Sequence, residues 1–162
     1  MGISRNYNSK FPGYAMPERY MQTFDEAKEP LWDFSQGPRP DLTVIYLGGN
    51  DFSVSLQPKL SDYKKRYMQL LAQVKAAYGE DHPVLCVAAL NEGLLDYVRE
   101  VCEDSGLKNV SYTGFISGIH NFEDELGASH HPNYLGHQKL AYSIIPYIST
   151  ITGWELSGAP VK

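Results

Sequence analysis

Three short apolar runs predict buried β-strands. They cover residues 43–47, 83–88 and 109–112, and Gly48-Gly49 closes the first. A continuous β-branched and apolar run without polar alternation is typical of a strand that is covered on both faces. We therefore expect the first two strands to be fully buried and the third to be a short member of the same sheet.

Apolar residues at three- and four-residue spacing predict helices between and after these strands. The first helix should take Ser61 as its N-cap and bury Tyr63, Tyr67, Leu70, Val74 and Tyr78. The second should be capped by Asn91 and turn Leu94, Leu95, Val98 and Cys102 inward. A last helix is predicted over 133–151, with Pro146 kinking or interrupting it. Residues 1–40 are predicted to be mostly loop, with a short helix near Pro17.

The alternation of strands and helices predicts an α/β domain. Strands joined by helices pair in parallel through right-handed crossovers. A length of 162 residues fits one domain. We place the domain at residues 1–155 and a tail at 156–162.

Charge and cysteine content narrow the function classes. The net charge is −5, and no basic run is longer than residues 64–66, so neither nucleic-acid binding nor membrane binding is predicted. Residues 1–10 are polar and have no apolar signal core, and localisation stays open. Cys86 and Cys102 fall within apolar patterns and are predicted to be buried free thiols, with a disulfide as the alternative.

Two segments carry candidate chemistry, because ligands of parallel sheets bind beyond the carboxyl ends of the strands. After the first strand, Gly48-Gly49 allows a sharp turn from which the Asn50 amide could donate to a developing oxyanion. The alternative is an Asn-Asp turn with only local hydrogen bonds. Before the last helix, His131 could serve as a general base, because histidine is the side chain that ordinarily exchanges protons near neutrality, or it is simply a loop histidine.

Other polar residues of the second segment carry weaker signals. His130 either lines a pocket or faces solvent, and His137 is predicted to pack or cap within the helix. A metal site built from these histidines is a remote alternative, because their spacing matches no compact ligand motif. We predict no metal and no cofactor.

The segments GGND (48–51) and HPNYLGH (131–137) together resemble two sequence blocks of the SGNH, or GDSL-type, esterases. The stretches SRNY (4–7), FPGYAMPERY (11–20) and WDF (32–34) are similar to the acetyl xylan esterase branch, carbohydrate esterase family 2. The resemblance runs from about residue 2 to residue 155. It implies a three-layer α/β/α, flavodoxin-like fold with a parallel sheet.

The resemblance also assigns residue roles. It makes His131 the catalytic base, Asn50 an oxyanion-hole donor and Gly2 a further candidate donor. Tyr14, Trp32 and His130 become candidate substrate-binding residues, and Tyr20 could join the two aromatic residues in a sugar-stacking rim. For the aromatic residues, the alternative is packing in the core or in loops.

The family nucleophile is a serine in a Gly-Asp-Ser motif, and this sequence contains no such motif. Ser4, Ser53 and Ser129 lie in other contexts, and we assign the nucleophile to none of them. We expect the chain to lack the first strand or strands of the fold. The strand at 43–47 would then leave one edge open and self-associate through it.

The orienting group of the histidine also departs from the family pattern. Many SGNH enzymes place an aspartate three residues before the histidine, where this chain has Ala128. The resemblance then implies a Ser-His dyad whose imidazole is held by a backbone carbonyl, and Asp124 is the alternative orienter.

The leading hypothesis is an ester hydrolase that deacetylates a xylan-like carbohydrate. The alternative is an inactive esterase remnant that binds carbohydrate or acts as a scaffold. Members of the resembled family are commonly secreted, whereas the residues of this chain do not decide its compartment.

Overall fold

Three parallel strands form the sheet of the computed structural model, which describes residues 1–5, 15–24, 27–53, 56–120 and 123–156. They are β1 (Thr43–Tyr46), β2 (Val84–Ala88) and β3 (Val110–Gly114), in the order β1-β2-β3. Ile45 of β1 pairs with Cys86 of β2. The parallel α/β class is therefore confirmed.

The chain divides into two compact units, residues 1–114 and residues 115–162. The first unit holds the sheet and the helices α1 (Met16–Arg19), α2 (Gly49–Phe52), α3 (Leu60–Tyr78) and α4 (Leu94–Glu103). The second holds α5 (Tyr134–Thr152). The assignment of 1–155 as one domain stays a prediction, and residues 157–162 of its tail lie outside the described residues.

One face of the sheet packs against α3 and α4. Alternate residues of the strands, Ile45, Val84, Cys86 and Ala88, join the core with the buried side chains of both helices, which include Tyr63, Tyr67, Leu70, Val74, Leu94, Val98 and Val101. Every residue of β2 is buried, as a continuous apolar run predicts. Cys86 and Cys102 are buried free thiols within this core, which confirms their sequence assignment.

The expected burial of the first strand was wrong. Ile45 is buried, whereas Val44 is 40% exposed and Tyr46 is 46% exposed. Among the described residues, β1 pairs with β2 on one side only, so it is an edge strand. A groove of about 360 Å³ runs along this edge, and its lining includes Val44 together with Met16 of α1 and Leu70 of α3.

Three predictions about helix ends and faces were also wrong. The helix α3 begins after Lys59, so Ser61 is not its N-cap. The N-cap of α4 is Gly93 in a left-handed conformation rather than Asn91, and Leu95 is exposed. The helix α5 continues through Pro146, so the proline does not interrupt it, and the alternative of a kink stays a prediction. Pro146 lies on an exposed part of the helix, where water can hydrate the carbonyl group that loses its N–H donor.

A buried lysine ties the amino-terminal ends of β2 and β3 together. The Lys75 ammonium donates hydrogen bonds to the carbonyl oxygens of Glu80, His82 and Lys108 at 3.0, 2.6 and 2.5 Å. Burial lowers the pKa of Lys75, and the nearby Asp81 opposes that shift. Three carbonyl groups satisfy the three donors of an ammonium, which makes its burial tolerable.

His82 is expected to make the stability of the fold depend on pH. Its Nε2 lies 2.9 Å from Thr43 Oγ1, and burial, together with the positive charges of Arg39 and Lys75, lowers its pKa from 6.5, against a smaller opposing effect of Asp41. The unfolded chain therefore binds a proton at His82 more readily than the folded chain does. Stability from this group is present at neutral pH and is lost as the pH falls through about 6.5.

Melting temperatures measured between pH 7.5 and pH 5.5 test this dependence. The His82→Gln variant should lose part of the decrease on acidification that the parent chain shows. The matched variant His137→Gln changes an exposed histidine and should keep the full decrease. Equal pH dependence in the parent chain and in His82→Gln would contradict the assignment.

Candidate active site

A glycine turn at the carboxyl end of β1 places Asn50. Gly48 has a left-handed φ of 104° and begins the short helix α2. A Cβ on Gly48 would lie 2.5 Å from the Tyr63 hydroxyl and 2.9 Å from Leu94 Cδ1. Both the backbone conformation and the lack of space therefore require glycine here. The turn therefore lies directly against Tyr63 and Leu94 of the core.

Asn50 is half-buried in this turn, and its side-chain amide has no hydrogen-bond partner within the part of the chain that the structure describes. Asn91, which follows β2, lies beside the same turn: a Cβ on Gly49 would be 3.3 Å from Asn91 Oδ1. The carboxyl ends of the two strands thus bring two asparagines to neighbouring positions. Asn50 remains available to a ligand, and its role as an oxyanion donor stays a prediction.

The Tyr63 hydroxyl group, which lies under this turn, is neutral. The Tyr63 side chain is completely buried, and its oxygen has no hydrogen-bond partner among the described residues. Burial, and secondarily the negative charge of Asp51, raises the pKa of Tyr63 well above its ordinary value. Tyr63 therefore supports the turn by packing and brings no charge to it.

Asp51 was not singled out by sequence reasoning, yet it makes the densest polar contacts near the turn. Its carboxylate accepts hydrogen bonds from the backbone N–H groups of Ile3, Ser4 and Arg5, and from the Ser4 hydroxyl. A local Asn-Asp turn would have kept the carboxylate on its own backbone. No signal in the sequence indicates a partner that lies 46 to 48 residues away.

Gly2 lies in this same amino-terminal segment. Its N–H donates to the carbonyl oxygen of Arg5 at 3.0 Å, and its own carbonyl accepts from Met16 N at 2.9 Å. A role for Gly2 as an oxyanion donor therefore requires that its bond to Arg5 be exchanged for one to the ligand, and that role stays a prediction.

A tight loop in the second unit carries His131. Leu126 and Pro132 form an isolated antiparallel bridge, and Gly127 N donates to the carbonyl oxygen of His131 at 2.7 Å. Ser129 and His130 adopt positive φ angles of 55° and 59°. Such conformations cost roughly 1–3 kcal/mol each in non-glycine residues and concentrate at functional sites.

The end of this loop is fixed by Asn133. Its side chain caps α5 by accepting from Gly136 N at 3.1 Å, and its amide donates to the carbonyl oxygen of Asp124 at 2.7 Å. The backbone on both sides of His131 is therefore held, whereas the His131 side chain is exposed. A fixed backbone with an accessible ring is the arrangement that a general base requires.

The described residues provide no hydrogen-bond partner that orients the His131 ring. The carbonyl oxygen of Ala128 accepts from the backbone N–H of His131 at 3.1 Å, not from its ring. Within the described ranges, the ring forms no hydrogen bond, so neither a backbone carbonyl nor Asp124 is placed as its orienter.

Among the substrate-binding candidates, Trp32 is 47% exposed and His130 is exposed. Tyr14 lies outside the described residues. Tyr20 stacks on Phe34 with ring centroids 5.3 Å apart, and this contact matches the packing alternative. The hydroxyl of Ser4 donates a hydrogen bond to Asp51, and the hydroxyl of Ser53 donates one to the carbonyl oxygen of Gly49, so both hydroxyls have partners within the protein.

The described residues contain no cluster of donors that would support the alternative of a metal site. Across the ranges that the structure describes, no three His, Cys, Asp or Glu side chains gather as a metal site would require. His120 instead lies 3.8 Å from a carboxylate oxygen of Glu125, which also binds Lys139. In the same ranges, no helix has the length and apolar character needed to cross a membrane.

Comparison with known proteins gives both a sequence relative and structural neighbours. The chain is 32% identical, over 95% of its length, to the cellulase/esterase CelE of Acetivibrio thermocellus, of which it covers 19%. No protein-family model matches it. The chain therefore corresponds to a small part of this relative.

The solved structures agree on the fold. A family two carbohydrate esterase from Clostridium thermocellum, in complex with cellohexaose, superimposes with a TM-score of 0.81 at 30% identity, over 96% of this chain and 48% of that one. The family two carbohydrate esterase from Cellvibrio japonicus shares the fold with a TM-score of 0.78 at 24% identity, over 94% of this chain and 45% of that one. The chain spans about half the length of each.

Proposed function

We propose that this chain, a relative of the family 2 carbohydrate esterases in sequence and fold, forms the part of a carbohydrate deacetylase that carries the base and the oxyanion donor. The observation that carries this proposal is the Gly48–Asn50 turn, where a sterically required glycine holds an amide at the carboxyl end of the sheet, and this amide has no hydrogen-bond partner among the described residues. The fixed loop of His131 supports it.

In the proposed reaction, a serine hydroxyl attacks the acetyl carbonyl carbon while His131 accepts the hydroxyl proton. Asn50 donates a hydrogen bond to the oxygen that becomes negatively charged. When the tetrahedral intermediate collapses, the sugar oxygen leaves and takes the proton from His131. Water then cleaves the acetyl-serine bond by the same base catalysis and releases acetate.

The serine is proposed to come from polypeptide outside the 162 residues. Gly-Asp-Ser is absent from the sequence, and β1 has strand pairing on one side only among the described residues. The matched esterase structures are about twice as long as this chain. A further strand beside β1 would end near the Gly48–Asn50 turn, because parallel strands bring their carboxyl ends to one edge of the sheet.

The proposed substrate class is an acetylated polysaccharide of the xylan type. CelE is a cellulase/esterase, and the Clostridium thermocellum neighbour was solved with cellohexaose, which is a β-linked glucose oligomer. An exposed indole such as Trp32 provides the flat apolar face on which pyranose rings stack.

Acetate release from acetylated xylan tests the proposal. We expect no turnover by the 162-residue chain alone, and turnover once the polypeptide encoded directly upstream in the same genome is fused or added; this mixture or fusion is called the complemented protein. No turnover by the complemented protein would refute the proposal. Turnover by the isolated chain would refute the external origin of the serine.

A binding role without catalysis is the second candidate, and the cellohexaose complex of the neighbour is the observation that favours it. Isothermal titration with cellohexaose and acetylated xylo-oligosaccharides separates the two functions. Binding with no acetate release by the complemented protein would establish the second candidate.

A further inference from the structure

We infer that Asp51 is a positioning residue that locks the amino-terminal segment onto the Asn50 turn and so sets the oxyanion-donor geometry. This inference rests on the proposed function. Asp51 immediately follows Asn50 in α2, and its side chain is 0% exposed.

The Asp51 carboxylate accepts hydrogen bonds at both oxygens from one short segment, residues 3–5. Oδ2 accepts from Ile3 N at 2.7 Å, and Oδ1 accepts from Ser4 N at 2.7 Å, from the Ser4 hydroxyl at 2.6 Å and from Arg5 N at 3.2 Å. A buried carboxylate is costly unless several donors compensate it. Four donors from three consecutive residues provide that compensation only when the segment adopts this one conformation.

The backbone of Asp51 binds the same segment, and we call the contacts between Asp51 and residues 3–5 the clamp. Its carbonyl oxygen accepts from Arg5 Nε at 3.1 Å and from a second nitrogen of the same guanidinium group. The segment is thus held to both the side chain and the main chain of one residue. Since that residue is bonded covalently to Asn50, displacement of the segment and displacement of Asn50 are linked.

The segment lies too close for any larger residue at Gly2. A Cβ at that position would be 2.2 Å from Asp51 Oδ2 and 2.6 Å from the carbonyl oxygen of Arg5. Gly2 is the other candidate donor to the oxyanion. The carboxylate therefore fixes the spacing between both candidate donors, without itself reaching a substrate.

The variant Asp51→Asn tests this role. The amide keeps the shape of the carboxylate, but its NH₂ faces an N–H donor wherever it replaces one of the two acceptor oxygens. We expect kcat of the complemented protein for acetylated xylan to fall about 10- to 100-fold with KM changed less than twofold. Hydrogen exchange of the amides of residues 3–5 should accelerate at least tenfold, while exchange of the β2 amides stays unchanged.

Two further variants show whether the effect of Asp51→Asn arises from the loss of its own hydrogen bonds. Ser4→Ala removes one of the four hydrogen bonds and should give a smaller decrease in kcat. Asp62→Asn makes the same chemical change at an exposed position of α3 and should leave kcat and exchange unchanged.

The inference fails if Asp51→Asn keeps its kcat, if the exchange of residues 3–5 does not change, or if the β2 amides exchange equally faster, since that would mean general destabilisation. Absence of turnover in the unsubstituted complemented protein would refute the proposed function and, with it, the catalytic purpose of the clamp. The exchange measurement on the 162-residue chain distinguishes these failures, because it reports on the clamp without requiring activity.

Discussion

Replacing His131 with alanine is expected to lower kcat of the complemented protein by about 10²–10⁴-fold, the range that a general acid-base catalyst contributes. The backbone of the loop is held by the Leu126–Pro132 bridge and by the Asn133 cap, whereas the ring is exposed. Truncation of the ring should therefore remove the base and leave the loop folded. The melting temperature of the His131→Ala variant should differ from that of the parent protein by no more than is usual for substitution of an exposed residue.

His137→Ala is the matched control for this experiment. His137 is an exposed histidine of α5, six residues after His131, and it has no role in the proposed reaction. Initial rates of acetate release by both variants, measured near neutral pH, decide the assignment. A similar loss in the two variants, or unchanged turnover in His131→Ala, would show that His131 is not the base.

The strands were predicted with unequal success, and the difference follows from what each prediction requires. Strand β2 was found within one residue of its predicted ends because five consecutive apolar residues are buried on both faces. Strand β1 has a similar composition, but Val44 is exposed. Burial depends on the neighbouring strands as well as on the strand itself, and the residues of one strand carry no information about what lies beside it.

The predicted start of a helix was wrong where a backbone conformation, rather than a capping side chain, turns the chain into the helix. At α4, Gly93 in a left-handed conformation begins the helix, although Asn91 is the better N-cap by residue type. Leu95 then faces outward, one position away from the buried Leu94. A shift in the start of a helix changes which residues face the core, so the predicted helix was correct and one of its inward residues was not.

The candidate site was predicted from two motifs, and the structure adds the contacts that hold them. Asn50 and His131 could be selected because amide donors and imidazole bases have known uses beyond the ends of parallel strands. Asp51 could not be selected, since its partners in residues 3–5 come together with it only in the folded chain. Candidate contacts with a substrate can thus be proposed from residue types in the sequence, whereas the interactions that hold those residues in place depend on the fold.

The open edge of β1 has a direct consequence for the isolated chain. Among the described strands, β1 pairs with β2 only, and its residues 43–46 include no lysine, proline or other feature that discourages edge pairing. The groove beside it is lined by apolar side chains of α1 and α3, including Met16 and Val74. Burying the exposed part of Val44, which is 40% exposed, favours association by a fraction of the roughly 1.5–3 kcal/mol that complete burial of an apolar side chain contributes.

We therefore predict that the 162-residue chain self-associates through this edge, and that Val44→Lys weakens the association at least tenfold, because a lysine at the contact must be desolvated. Sedimentation velocity across a range of chain concentrations measures the effect. The matched control is Leu90→Lys, which places the same charge on a residue that is 44% exposed and lies after β2. A chain that is monomeric at every concentration, or equal association of the two variants, would exclude the edge of β1 as the contact. In the complemented protein, where the proposed additional strand occupies this edge, Val44→Lys and Leu90→Lys should both remain monomeric.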